Sequence, residues 1–161
     1  MQIIIEQAEP NQVADVSEVL QEVAVWLENK GEKLWDADEL APENVAYEVE
    51  TGMFWLGKID DEIAGCVRFQ TEDFEYWDDV PHTDSAFVHR VAVKRKFAGK
   101  GVAIAMLDWA KTQAKLLNKK YLRLDCDQRE KLVKFYESQG FKFHSEKTRK
   151  PYTVNRYEFE L

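Results

Sequence analysis

A buried-strand pattern from Ala86 to Val93 passes through a turn with two glycines straight into a helical stripe, and nothing else restricts the chain as tightly. Phe87, Val88, Val91 and Val93 mark the strand. Ala103, Met106, Leu107, Ala110, Ala114 and Leu117 recur at helical spacing and predict a helix from Val102 to about Leu117. A strand feeding a long helix is a crossover unit, the building block of α/β folds.

The flanking segments agree with that class. Ile3 to Ile5 reads as a strand, and Pro10 and Asn11 punctuate the start of a helix carrying Val16, Val19, Leu20, Val23 and Leu27 up to Gly31. A second helix is expected from Pro42 to Glu50. Met53 to Ile59 and Ile63 to Phe69 flank the acidic turn Asp60-Asp61-Glu62 as a β-hairpin. Thr71 to Ser85 is a loop rich in acids and aromatics and holds Pro81. Tyr121 to Cys126 is a strand, Glu130 to Ser138 a helix ended by Gly140, and Phe141 to Phe143 and Asn155 to Leu161 close the chain as strands. The expected order is β-α-α-β-β-β-α-β-α-β-β, an α/β fold with a central mixed sheet of about seven strands flanked by about four helices. At 161 residues, with no linker or repeat, residues 1–161 are expected to form one domain.

Composition removes several function classes. No apolar run approaches the roughly 18 residues of a membrane span. Met1 to Glu6 has neither a basic stretch nor a small-residue cleavage site, so cytoplasmic residence is the expectation. A net charge of -8 disfavours nucleic acid and anionic membranes as partners, and suits a cationic one. Cys66 and Cys126 lack CxxC spacing and read as small buried hydrophobes. The three histidines show no ligand spacing such as HExxH, so no metal is expected.

Within this acidic chain Lys94, Arg95, Lys96 and Lys100 cluster around Gly99 and Gly101. Glycines let a backbone turn sharply and let an anion approach its N–H groups, and a helix start adds unpaired donors and a positive dipole end. The turn is therefore a candidate phosphate or pyrophosphate site; an ordinary turn with solvated lysines is the alternative. It fits neither the Walker A pattern nor the dinucleotide-binding fingerprint, because Ile104 stands where the latter needs its last small residue.

The stretch Ala98-Gly99-Lys100-Gly101-Val102-Ala103 resembles motif A of the GNAT N-acetyltransferases, Q/R-x-x-G-x-G/A, with Ala98 in place of the usual Gln or Arg. Tyr136-Glu137-Ser138-Gln139-Gly140-Phe141 is similar to the end of the family's motif B, with Arg129 where Asn is usual. His89 to Val93 is similar to the strand along which pantetheine pairs. The resemblance implies acetyl-CoA as donor, held by Val91, Ala92, Val93, Ala98, Gly99, Lys100, Gly101, Val102, Ala103 and Arg129. It also implies transfer of the acetyl group to a primary amine of a small molecule by direct attack, and a homodimer through the last strands. A CoA-binding sensor with little catalysis, or a plain nucleotide- or phosphate-binding module, are the rival readings.

Thioester aminolysis needs a neutral amine, a donor for the tetrahedral oxyanion and a proton for the leaving thiolate. Tyr136 stands at the family's position for that acid, with aromatic packing beside Leu132 and Phe135 as its other reading. A strand amide near Val91 is the candidate oxyanion donor. His89, in phase with Val91 and Val93, is a candidate base or a structural hydrogen-bonding residue. In this family the first helices and nearby loops form the acceptor pocket, which implies Trp26 and Trp35 as walls that favour cations, with core packing as the other reading of Trp26. Glu72 and Asp73, in the acidic loop, are candidates for binding a cationic acceptor, with an ordinary solvated loop as the alternative.

Overall fold

The computed structural model describes residues 2–161. Its elements follow the expected order: β1 (Ile4–Gln7), α1 (Val13–Asn29), α2 (Pro42–Glu50), β2 (Phe54–Ile59), β3 (Glu62–Gln70), β4 (Ser85–Val93), α3 (Val102–Leu116), β5 (Tyr121–Asp127), α4 (Glu130–Ser138), β6 (Lys142–Arg149) and β7 (Tyr152–Glu160). Hydrogen bonds order the strands β1-β2-β3-β4-β5-β7-β6 in one sheet. β4 and β5 run parallel, as the α3 crossover requires, whereas β1–β2, β2–β3, β5–β7 and β6–β7 are antiparallel. Among the described residues no helix is long and apolar enough to cross a membrane.

Two compact units divide the described residues, 2–69 with 90–109 and 70–89 with 110–161. The core of the first is the stripe of α1, where Val16, Val19, Leu20 and Ala24 are fully buried, joined by Val45 and Val49 of α2 and by Phe54, Leu56 and Cys66 of the strands. Pro42 opens α2 at its first turn, where a missing N–H costs nothing. Asp60 and Asp61 take φ of 51° and 63° between Ile59 and Glu62, which pair as strand neighbours. The hairpin turn is thus two residues rather than the expected three, in the left-handed conformation that matches strand twist.

The α3 stripe begins one residue earlier than its apolar spacing suggested. Val102 is 1% exposed and Ala103 half-buried, while Leu117 lies beyond the helix at 49% exposure. Asn118, at φ 58°, ends the helix, and Lys119 N–H reaches the Ala114 carbonyl at 3.0 Å.

Close packing fixes one glycine beside β4. A Cβ on Gly65 would lie 2.5 Å from the Ala92 carbonyl, so β3 must carry glycine there. The second unit is held by β5, β6 and β7 and by the loop after β3. In that unit Trp77 is fully buried, and Arg156, 4% exposed, grips Asp79 at 2.6 and 3.1 Å.

Candidate functional site

In the first unit the turn after β4 is shaped by its backbone. A short 3-10 turn, Arg95–Phe97, leads to Ala98, and then Gly99 and Gly101 take φ of 76° and 82°. Side chains with a Cβ adopt such angles at a cost of roughly 1–2 kcal/mol, so the two glycines are what the path demands. Added Cβ atoms would meet nothing within 4 Å, which leaves the turn open for an incoming anion. Ala105 N–H is bonded to the Gly101 carbonyl at 3.0 Å. The N–H groups of Val102, Ala103 and Ile104 therefore precede the first carbonyl that α3 can offer them. These donors and the dipole end suit a diphosphate.

The basic cluster plays a different part from the one its sequence position suggests. Lys94 Nζ lies 3.1 Å from Glu18 and Lys96 Nζ 2.7 Å from Glu62. Arg95 donates its backbone N–H to Glu22 at 2.7 Å and stacks its guanidinium 3.8 Å from the centre of Trp26. Three of the four cations are thus matched with acids or an aromatic face of their own unit. Lys100 is exposed and has no ion-pair partner among the described residues. Arg95 and Lys96, the cations nearest before Ala98, are both engaged elsewhere, so neither stands in for the Gln or Arg usual at that position.

Trp26 also has Lys30 Nζ at 4.2 Å, and Trp35 has the Arg90 guanidinium at 5.1 Å. The aromatic faces considered for a cationic acceptor are in contact with the chain's own cations. A shallow groove of about 570 Å³ runs along α1 between Ala14 and Asn29, with Glu18, Glu22 and Trp26 among its walls.

Arg90 takes φ 53° in the middle of β4. A left-handed residue inside a strand marks a bulge and interrupts the period of two. The single face expected for His89, Val91 and Val93 therefore does not follow across Arg90.

In the second unit three titratable groups meet. β4 and β5 pair from Ser85/Tyr121 to Phe87/Arg123, and two residues further on stand His89 and Asp125. His89 Nε2 is 2.8 Å from Asp73 Oδ2, and Nδ1 is 3.7 Å from Asp125 Oδ2. Asp73 is 4% exposed, and its Oδ1 accepts the N–H groups of Glu75 and Tyr76, each at 3.0 Å. Burial would raise its pKa, but the His89 hydrogen bond and charge and the two N–H groups hold the carboxyl below its ordinary value. One donor atom from each of the three residues lies within 4.8 Å of the others. In sequence His89 and Asp73 stand apart with separate roles, and Asp125 carries no distinguishing signal, being one of three charged residues of β5 with Arg123 and Asp127.

Tyr136 is half-buried on α4, its ring edge-on to Phe135 at 5.2 Å and to Phe141 at 6.1 Å. Burial, reinforced by Cys126 and Asp125, pushes its phenol well above the ordinary value, so it carries its proton throughout the neutral range. Cys126 is buried and its thiol is pushed up to about 12, which suits packing rather than reactivity. Cys66 is fully buried and equally raised, to about 12.

Arg129 sits at the N-terminal boundary of α4, where its backbone N–H and Nε both bond Asp127 Oδ1 at 2.9 and 3.0 Å. The acidic loop is also bolted down: Asp78 pairs with Lys147 at 2.8 Å, and the Glu75 carbonyl accepts Arg149. Glu72 remains exposed, its carbonyl accepting the Gln70 amide at 2.6 Å.

The acetyltransferase (GNAT) family model matches residues 18–141. The uncharacterized N-acetyltransferase YesJ of Bacillus subtilis is 30% identical over 135 residues, 80% of this chain and 75% of YesJ. Among solved structures, a GNAT-family acetyltransferase of Listeria monocytogenes superposes with a TM-score of 0.81 at 21% identity, covering 99% of this chain and 95% of that one. The PaiA N-acetyltransferase of Thermoplasma acidophilum, solved in complex with coenzyme A, gives a TM-score of 0.75 at 16% identity, covering 99% and 100%.

Proposed function

This chain belongs to the GNAT family of acetyltransferases, and from that premise we propose that it moves the acetyl group of acetyl-CoA to a primary amine of a small molecule. The supporting observation is the open turn at Gly99 and Gly101, which leads into the start of α3, where the first N–H groups have no carbonyl of their own helix to bond. Diphosphate is the anionic part of the donor that such a turn suits, and Lys100 adds a charge beside it. The coenzyme A complex of PaiA, a protein of the same fold, agrees with this choice of ligand. Val91, Ala92 and Val93 hold the pantetheine arm in this reading. Cytoplasmic residence and pairing of two copies through the last strands are parts of the same proposal.

The protein's own groups then manage protons and charge. His89 takes one proton from the acceptor ammonium and leaves a neutral amine. The amine nitrogen bonds to the acetyl carbon as the carbonyl electron pair moves onto oxygen, where the Val91 N–H, next to the bulge, meets it. The carbon–sulfur bond breaks, Tyr136 gives its proton to the departing sulfur, and the phenolate recovers one from the new amide nitrogen. One amide, one free thiol and one proton, held first by His89, are the net products. Glu72 is assigned to the acceptor, and in the other unit the groove along α1 offers acidic walls to a cation.

Thiol release from acetyl-CoA, followed over a panel of polyamines, amino acids and aminoglycosides, tests this. Amine-dependent release supports the reading. Binding of acetyl-CoA without release by any amine would replace it with a sensor, and absence of binding would end it.

A further inference from the structure

We infer that Asp73 is a positioning residue that holds His89 with its Nε2 hydrogen directed inward and leaves Nδ1 as the atom that receives the acceptor's proton. The inference rests on the amine-acetylation reading above and replaces Asp73's candidacy as a substrate contact. Each part of the geometry has one job. Oδ1 of Asp73 is saturated by the Glu75 and Tyr76 N–H groups, which fold the loop around it. Only Oδ2 is left to meet the ring, at 2.8 Å from Nε2. An ionised carboxylate accepts and never donates, so the hydrogen between them belongs to Nε2 and a neutral ring keeps its lone pair on Nδ1.

The opposite side of the ring is built differently. Nδ1 stands 3.7 Å from Asp125 Oδ2, too far for a direct hydrogen bond. A single N–H donor can sit within hydrogen-bond distance of both atoms, and an ammonium supplies several such hydrogens together with a charge that attracts Asp125. All three side chains are largely enclosed: Asp73 is 3% accessible, and His89 and Asp125 are 11% each. Asp73 is the most deeply buried of the three, and Asp125 Oδ2 is itself shielded from solvent. Among the described residues, the charged groups in contact with the ring are Asp73 from the loop and Asp125 from β5.

Asp73→Asn separates this from a structural role. Its side-chain oxygen still accepts the two backbone N–H groups, but an amide NH2 now faces Nε2 and forces the ring into the other tautomer. Nitrogen-15 spectra of labelled histidine in the whole protein read the tautomer without any substrate. The wild type is expected to show hydrogen on Nε2, and Asp73→Asn to move it to Nδ1. With an accepted amine, the variant should lose on the order of 100-fold in kcat, while KM for that amine stays within about threefold and the thermal midpoint barely moves. Hydrogen on Nδ1 in the wild type overturns the inference. So does a ring that stays doubly protonated across the working pH range, an unchanged kcat in Asp73→Asn, or a loss that tracks unfolding. A turnover abolished by EDTA and restored by zinc would also overturn it, by giving the three donors to a cation. Thiol release in a protein with the opposite tautomer removes this inference alone, whereas no release with any amine removes the reading beneath it.

Discussion

The turn from Ala98 to Ala103 and the Asp73–His89–Asp125 cluster are made from opposite materials. The first is main chain: two positive φ angles and the first N–H groups of a helix, which its own carbonyls cannot reach, with most nearby cations occupied by Glu18, Glu62 and Trp26. The second is side chain: a buried carboxylate from a loop, an imidazole from β4 and a second carboxylate from β5. Main-chain donors can be arranged by a few consecutive residues, because glycine conformation and helix geometry are local properties. A proton-handling group needs a burial and a set of neighbours that only distant parts of the chain supply. Binding the donor is thus the local task, and activating the acceptor the assembled one.

The most damaging test of the side-chain half is Tyr136→Phe. It removes one oxygen while keeping the packing on Phe135 and Phe141, so turnover should fall by roughly tenfold to thousandfold with KM for acetyl-CoA little changed. Thiol-release kinetics check this, and an unchanged kcat would take the acid role from the phenol.

The main-chain half is sharpened by setting Gly101→Ala beside Lys96→Ala. At φ 82° alanine strains the turn by roughly 1–2 kcal/mol, so CoA affinity measured by calorimetry should fall about tenfold. Lys96→Ala removes a charge already paired with Glu62 and should change affinity by less than about twofold. A tenfold loss in Lys96→Ala instead would mean that side chains carry the anion, and the contrast between the two regions would dissolve.

Legibility in the sequence followed the same division. The order of eleven elements could be read from apolar periodicity, and the Gly99–Gly101 turn from its neighbours, because each signal sits within about a dozen residues. Three features could not be read. Asp73 looked like one acid among many in a polar loop, since nothing local announces that its oxygens are used by Glu75, Tyr76 and His89. Arg90's left-handed backbone breaks a strand pattern that Val91 and Val93 continue perfectly well on paper. The basic cluster stood out against a net charge of -8, yet its partners Glu18, Glu22 and Glu62 lie about 30 to 80 residues away in sequence and meet it only after folding.

The smallest effect concerns the loop that carries Asp73. Asp79, held by Arg156, has its carboxyl pulled down to about 2, and Asp73 is lowered as well. Carboxyls that are stronger acids in the folded state stabilise it above their unfolded value near 4, and that contribution is lost as pH falls through their folded values. Denaturant midpoints should therefore be flat from about pH 7 to 5 and drop between about pH 4 and 2. Asp79→Asn should lower the midpoint at neutral pH slightly and make the acid drop shallower; an unchanged acid slope would detach the loop's anchoring from this ion pair.

Amide spectra of the nitrogen-15-labelled protein, recorded while coenzyme A is added, bear most directly on main-chain capture of the donor. The largest shifts are expected at the N–H groups of Gly99 through Ile104, with smaller ones at Val91 to Val93. Saturating binding that leaves Gly99 to Ile104 unmoved would contradict it.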